Sequence, residues 1–103
     1  MLHNNIREKL LKAFLDTAIL ASLEVTYMNG YDLTIYFIKK FGAAISTSTV
    51  YSTLYAMERN GLIKAKFNRR SRVYELTEKG KKALEDSRNN LRWIQEFINK
   101  LHM

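Results

Sequence analysis

The sequence predicts a mostly helical α+β domain: three helices, a β-hairpin and a long closing helix. Three observations lead there. Apolar residues recur at helical spacing as far as Asn60, and again after Thr77. Between those stretches, residues 63–76 alternate with a period of two, as half-buried strands do. The 103 residues include no proline, no cysteine and only four glycines, which argues against a loop-rich or all-β fold. A chain of this length fits one domain with its own core.

The first helix is expected over residues 5–24. Asn5 can cap it, with Glu8 three residues on as in a capping box. Ile6, Leu10, Ala13, Phe14 and Thr17 form one stripe; Leu11, Leu15, Ala18 and Ser22 form its neighbour. So wide an apolar arc suits a helix packed on two sides. Asn29-Gly30 reads as a turn. A second helix is expected over residues 32–41, with Leu33, Phe37 and Phe41 on one face. Lys39 and Lys40 sit in its last turn, where cations suit the helix dipole, and Gly42 stops it. A third helix is expected over residues 46–60, capped by Ser46 or Thr47. Val50, Leu54 and Met57 form its buried stripe, and Gly61 ends it.

The hairpin follows. Ile63, Ala65 and Phe67 are expected on its apolar side, alternating with Lys64 and Lys66. Asn68–Ser71 suits a turn, with Asn68 in the left-handed conformation. Tyr74 and Leu76 return to the apolar side, and Thr77 caps a helix reaching about Leu101. This order describes a winged helix-turn-helix, in which helix 46–60 lies in the major groove of duplex DNA. The wing, residues 63–76, follows the backbone or enters the minor groove.

Charge supports that partner. The formal net charge is +7, and residues 59–82 alone hold nine basic and two acidic side chains. The remainder cancels at eight of each. A localised positive field suits a polyanion, nucleic acid first and an anionic membrane surface second; the bland reading is a solvated basic face. The longest charge-free run, residues 41–57, is rich in Ser and Thr and falls short of a membrane span of about 20 apolar residues. No secretory leader is visible, so the expectation is a cytoplasmic, nucleoid-associated protein. Catalysis is not expected. His3 and His102 lie in the end segments, thiolate ligands are absent and the glycines are scattered, so neither cofactor nor metal is anticipated.

Four segments carry a family likeness: Gly30-Tyr31-Asp32-Leu33, Ser46-Thr47-Ser48-Thr49-Val50-Tyr51, residues 57–63 (MERNGLI), and residues 72–80 (RVYELTEKG). In this order and spacing they resemble the PadR family of winged-helix transcriptional regulators, over roughly residues 11–84. The short tail resembles the smaller members. The family's third helix usually opens Ser-Pro-Gly-Thr, whereas here it opens Ser46-Thr47-Ser48-Thr49. The resemblance implies a homodimeric DNA-binding repressor, released in some members by a small aromatic or hydrophobic effector. It also implies that Tyr51 lies near the DNA backbone.

The candidate DNA-binding residues are Thr47, Ser48, Thr49, Tyr51, Ser52, Tyr55 and Arg59 on the helix, and Lys64, Lys66, Arg69, Arg70 and Arg72 on the wing. Hydroxyls discriminate bases poorly, so this helix is expected to fit shape more than read sequence. Three arginines within four residues exceed what protecting a hairpin edge requires. Leu84, Ser87, Leu91, Ile94, Ile98 and Leu101 recur at spacings of three and four, a coiled-coil seam. Residues 1–78 therefore read as the DNA-binding domain and 79–103 as a dimerisation helix. Leu84, Leu91, Ile94, Ile98 and Leu101 are the interface candidates, and Trp93 and Phe97 the candidates for an effector cleft. Two alternatives stay open: a low-specificity, chromatin-like DNA-binding protein, and a winged-helix module that binds an acidic protein.

Overall fold

The computed structural model describes residues 2–102, with side chains from Ile6 onward. Helix α1 spans Leu2–Ala13 and α2 spans Leu15–Val25. The single helix expected over 5–24 is thus two, meeting at Phe14, where φ is −109° and ψ is 18°. Neither glycine nor proline marks the break. It is a one-residue distortion, since helical hydrogen bonds cross it from the Phe14 amide to the Leu10 carbonyl at 3.0 Å and from the Ala18 amide to the Phe14 carbonyl at 2.9 Å. Leu11, Leu15, Ile19, Leu20 and Leu23 are buried, while Ile6 and Leu10 are exposed. α1 begins at Leu2, so Asn5 lies within it and not at its cap. The side chains of His3 and Asn5 lie outside the described residues.

Helix α3 spans Gly30–Phe41 and α4 spans Thr47–Arg59. Asn29, expected in a turn, is instead the N-cap of α3: its side chain accepts a hydrogen bond from the Asp32 amide at 2.7 Å. Gly42 ends α3 at φ 59°, a conformation glycine adopts without steric cost. Ser46 caps α4, accepting from the Thr49 amide at 3.2 Å. The expected stripe of Val50, Leu54 and Met57 is buried, against a core that includes Leu33, Phe37, Ile63, Tyr74 and Leu84. These two helices form the helix-turn-helix.

Strands β1 (Ile63–Asn68) and β2 (Ser71–Leu76) pair antiparallel, with Ile63 opposite Leu76 and Asn68 opposite Ser71. The two-residue turn places Arg69, not Asn68, in the left-handed region, at φ 61°. Two other expectations change. Phe67 is 73% exposed, because it lies beyond the point where the core ends. Val73 is buried although it faces away from Tyr74. The segment between α2 and α3 runs along the outer edge of β2: the Tyr74 amide donates to the Met28 carbonyl at 3.1 Å, and Asn29 donates to the Ser71 hydroxyl at 2.8 Å.

Helix α5 spans Glu78–Leu101 and is 24 residues long. Thr77 caps it, accepting from the Gly80 amide at 3.1 Å. Its first turns belong to the core: Gly80 and Leu84 are buried, so Leu84 packs within its own domain and offers no face to a partner. Beyond Leu84 the helix runs out past the body, with only Ser87 and Ile94 still partly buried and every residue from Gln95 to His102 exposed. One ion pair braces the projection, with Arg88 Nη2 donating to Glu24 Oε1 at 2.8 Å. That hydrogen bond holds the Glu24 carboxyl below its usual range. A carboxyl depressed on folding stabilises the fold at neutral pH, and the contribution is lost as pH falls through the folded pKa. Glu24→Gln is therefore expected to lower the melting temperature slightly at pH 7, to leave it nearly unchanged in acid, and so to flatten its fall below about pH 5. An acid limb as steep as that of the wild type would remove Glu24 from the account.

Candidate nucleic-acid interface

The solvent side of α4 is built by default. Val50, Leu54 and Met57 fix which face is buried, and helical spacing then turns Ser48, Ser52, Tyr55 and Arg59 outward together. Thr47 is also exposed, in the first turn. The other two candidates are engaged locally. Thr49 shares a hydrogen bond with the capping Ser46 hydroxyl at 2.8 Å. Tyr51 is half-buried and its ring covers Gly30, so closely that a methyl group there would collide with it. Tyr51 thus joins the starts of α3 and α4, while its neighbour Tyr55, 6.1 Å away between ring centres, stays exposed.

The wing cations divide by register. Lys64 and Lys66 project from the face opposite Arg72 and flank Glu75, at 3.3 and 3.5 Å. Lys66 also lies 4.5 Å from the centre of the Tyr27 ring. Arg72 turns toward α4, where its Nη2 donates to both Glu58 oxygens, at 2.9 and 2.8 Å, and its Nε donates to the Tyr74 hydroxyl at 3.1 Å. These bonds, to Tyr74 and then Glu58, raise the Arg72 pKa further, so it is a fixed cation. Arg69 and Arg70 are exposed at the tip, and among the described residues neither is in an ion pair.

Along α5, Ile94 is half-buried, beside Ala13, Phe14 and Thr17. Leu91, Ile98 and Leu101 are exposed, Leu101 at 69%. Trp93 and Phe97 stack at 5.6 Å on the same free length of helix. An apolar groove of about 270 Å³ lies elsewhere, between α2 and α3, lined by Ala18, Phe37 and Phe41 among others; neither Trp93 nor Phe97 lines it.

Sequence reasoning missed Glu58 and Glu75, the carboxylates that occupy three of the five wing cations. A signal existed. A two-residue turn at 69–70 fixes the antiparallel register, and that register sets Lys64 directly opposite Glu75. The Glu58–Arg72 pair, fourteen residues apart, had no such local mark.

A helix-turn-helix with an outward polar helix face and a basic two-stranded wing defines the winged-helix class of DNA-binding proteins. The model of the Transcriptional regulator PadR-like family matches residues 19–86, and the chain belongs to that family: it is a DNA-binding winged-helix regulator and not an enzyme. Solved structures agree. A transcriptional regulator from Clostridium thermocellum superposes with a TM-score of 0.80 at 26% identity, over 89% of this chain and 93% of that one. A PadR family regulator from Clostridium difficile R20291 gives 0.77 at 26% identity, over 87% and 99%. Bacillus subtilis PadR in complex with operator DNA gives 0.65 at 30% identity, over 70% of this chain and 45% of that longer one. Among curated proteins, none matches. Among the described residues, no cluster of His, Asp or Glu could hold a metal ion, and no helix is long and apolar enough to cross a membrane.

Proposed function

We propose that the chain is a homodimeric, sequence-specific repressor of transcription. Helix α4 enters the major groove with Thr47, Ser48, Ser52, Tyr55 and Arg59, and Tyr51 buttresses its approach to the backbone. The wing tip holds phosphate or enters the minor groove. The observation that carries this reading is Arg69. A non-glycine residue at φ 61° costs about 1 kcal/mol or more, and the residue in that position is a bare arginine beside a second one. Strain kept at an unpaired cation points to use. The likeness to Bacillus subtilis PadR, whose structure contains operator DNA, supports it. Lys64 and Lys66, each shared with Glu75, add to the field more than to direct contact.

The outer length of α5 supplies the dimer seam through Leu91, Ile98 and Leu101, which are exposed, with Ile94 half-buried against its own domain at the root of the seam. Trp93 and Phe97 join that interface, and an effector cleft between subunits is the lesser part of their role. Ile98→Asp, at an exposed position, is expected to leave the fold intact and give monomers in sedimentation equilibrium. A persistent dimer would move the seam to another face.

The defining experiment is fluorescence anisotropy with two labelled duplexes across a salt series. One comes from upstream of the protein's own gene, and the other is random. A large preference for the first, with steep salt dependence, supports a site-specific regulator. Equal and steep binding supports the low-specificity reading, which the hydroxyl-rich face of α4 favours. Failure to bind either duplex at low salt would leave the acidic-protein partner as the better account.

A further inference from the structure

Between α4 and the wing, one charged contact stands apart from the phosphate-holding set. Arg72 is gripped from two sides, by the Glu58 carboxylate on the last turn of α4 and by the hydroxyl of buried Tyr74. The Phe67 and Tyr74 rings lie 5.8 and 5.7 Å from its guanidinium centre. Among the described residues, no other ion pair joins α4 to the wing. Arg59, on the outward face of α4, is the next residue along. The contact therefore spans the junction of the two elements proposed to meet DNA.

We infer that Glu58 is a specificity-determining, positioning residue: by clamping Arg72 it fixes the wing against α4 and withholds one cation from non-specific phosphate contact. The inference rests on the DNA-binding reading above. Two physical arguments support it. A charge-assisted pair with both carboxylate oxygens engaged is geometrically demanding, so it sets the spacing between helix and wing more tightly than apolar packing at Phe67 could. A guanidinium already neutralised by carboxylate also gives up that partner to bind phosphate. It thus adds little to the sequence-independent term that dominates binding to random DNA. Discrimination is the difference between the specific and random affinities, so a device that lowers the second raises the ratio.

The test uses the intact protein, a duplex selected in vitro by the wild type, and a scrambled duplex of equal composition. Glu58→Gln preserves shape and removes the charge. It is expected to raise affinity for the scrambled duplex by up to about 8-fold per subunit near 0.1 M salt, and to steepen the salt slope by about 0.9 per subunit. The ratio of selected to scrambled affinity falls accordingly. Arg72→Gln is expected to lower the ratio while leaving the slope as in the wild type, since that cation does not hold phosphate. In the Arg72→Gln background, adding Glu58→Gln changes the slope no further. A purely structural ion pair would move melting temperature and none of these slopes. A flatter slope in Arg72→Gln would place the guanidinium on phosphate and overturn the inference. An unchanged slope and ratio in Glu58→Gln would also overturn it. In either case a slope still flattened by Arg69→Ala/Arg70→Ala leaves the DNA-binding reading standing, and an unaffected slope in that double variant removes both.

Discussion

Replacing Arg69 and Arg70 together by alanine is expected to weaken binding to every duplex, by up to about 4 × 10³-fold near 0.1 M salt, and to flatten the salt slope by about 0.9 for each lost contact. The size follows from symmetry. A dimer presents two wing tips, and two arginines per tip amount to four phosphate contacts. Because such contacts position the protein without reading bases, selected and scrambled duplexes lose alike. The backbone offers a control that separates this from misfolding. Arg69 holds φ 61°, and Arg69→Gly removes both the side chain and the strain. That variant is expected to melt at or above the wild-type temperature and yet bind DNA more weakly. Wild-type affinity in the double variant, with an unchanged slope, would move the binding surface off the wing.

Gly80→Ala is expected to have the largest effect on stability, about 3 kcal/mol or more, lowering the melting temperature by roughly 12 °C or more. The added methyl group would meet the Leu62 carbonyl oxygen, which is backbone and cannot swing aside. That carbonyl already accepts from the Thr77 amide at 3.2 Å, so shifting it would break the junction of wing and α5. Gly30→Ala makes the useful comparison. There the collision is with the half-buried Tyr51 ring, a side chain and not backbone, which can shift where the Leu62 carbonyl cannot, and the expected loss is smaller. Equal melting curves for Gly80→Ala and wild type, in calorimetry or circular dichroism, would sink this account.

Local chemistry was legible in the sequence wherever a residue acts on its own near neighbours. The caps at Ser46 and Thr77, the left-handed stop at Gly42 and the stripe of Val50, Leu54 and Met57 all follow from spacings of one turn. The break at Phe14 was not legible, because neither glycine nor proline marks it and the residues around it favour one continuous helix. Asn68 was a reasonable left-handed candidate by propensity, but the two-residue turn places that demand one position later, on Arg69. Phe67 reads as core in an alternating strand, yet it stands past the edge of the domain. For the candidate site, the cations were visible and their availability was not. Charge counting treats Lys64, Lys66 and Arg72 as equal to Arg69 and Arg70, whereas Glu58 and Glu75 engage the first three through cross-strand and helix-to-strand pairing. Burial of Leu84 shows the same limit from the other side. A regular apolar spacing reports that a face will be covered, but not by which chain.

The rooting of α5 in the core carries a mechanical implication. Gly80 and Leu84 are buried, and the same helix continues without interruption to Leu101, so no joint separates the wing from the tail. Each residue of an α-helix advances about 1.5 Å and turns about 100°. Inserting one residue after Leu84 would swing Ile98 and Leu101 about a quarter-turn around the rod, whereas inserting seven would return them to nearly the same bearing about 10 Å farther out. The number of residues in this rod is thus itself a setting: it fixes how far apart, and at what rotation, two copies joined along it would hold their wings.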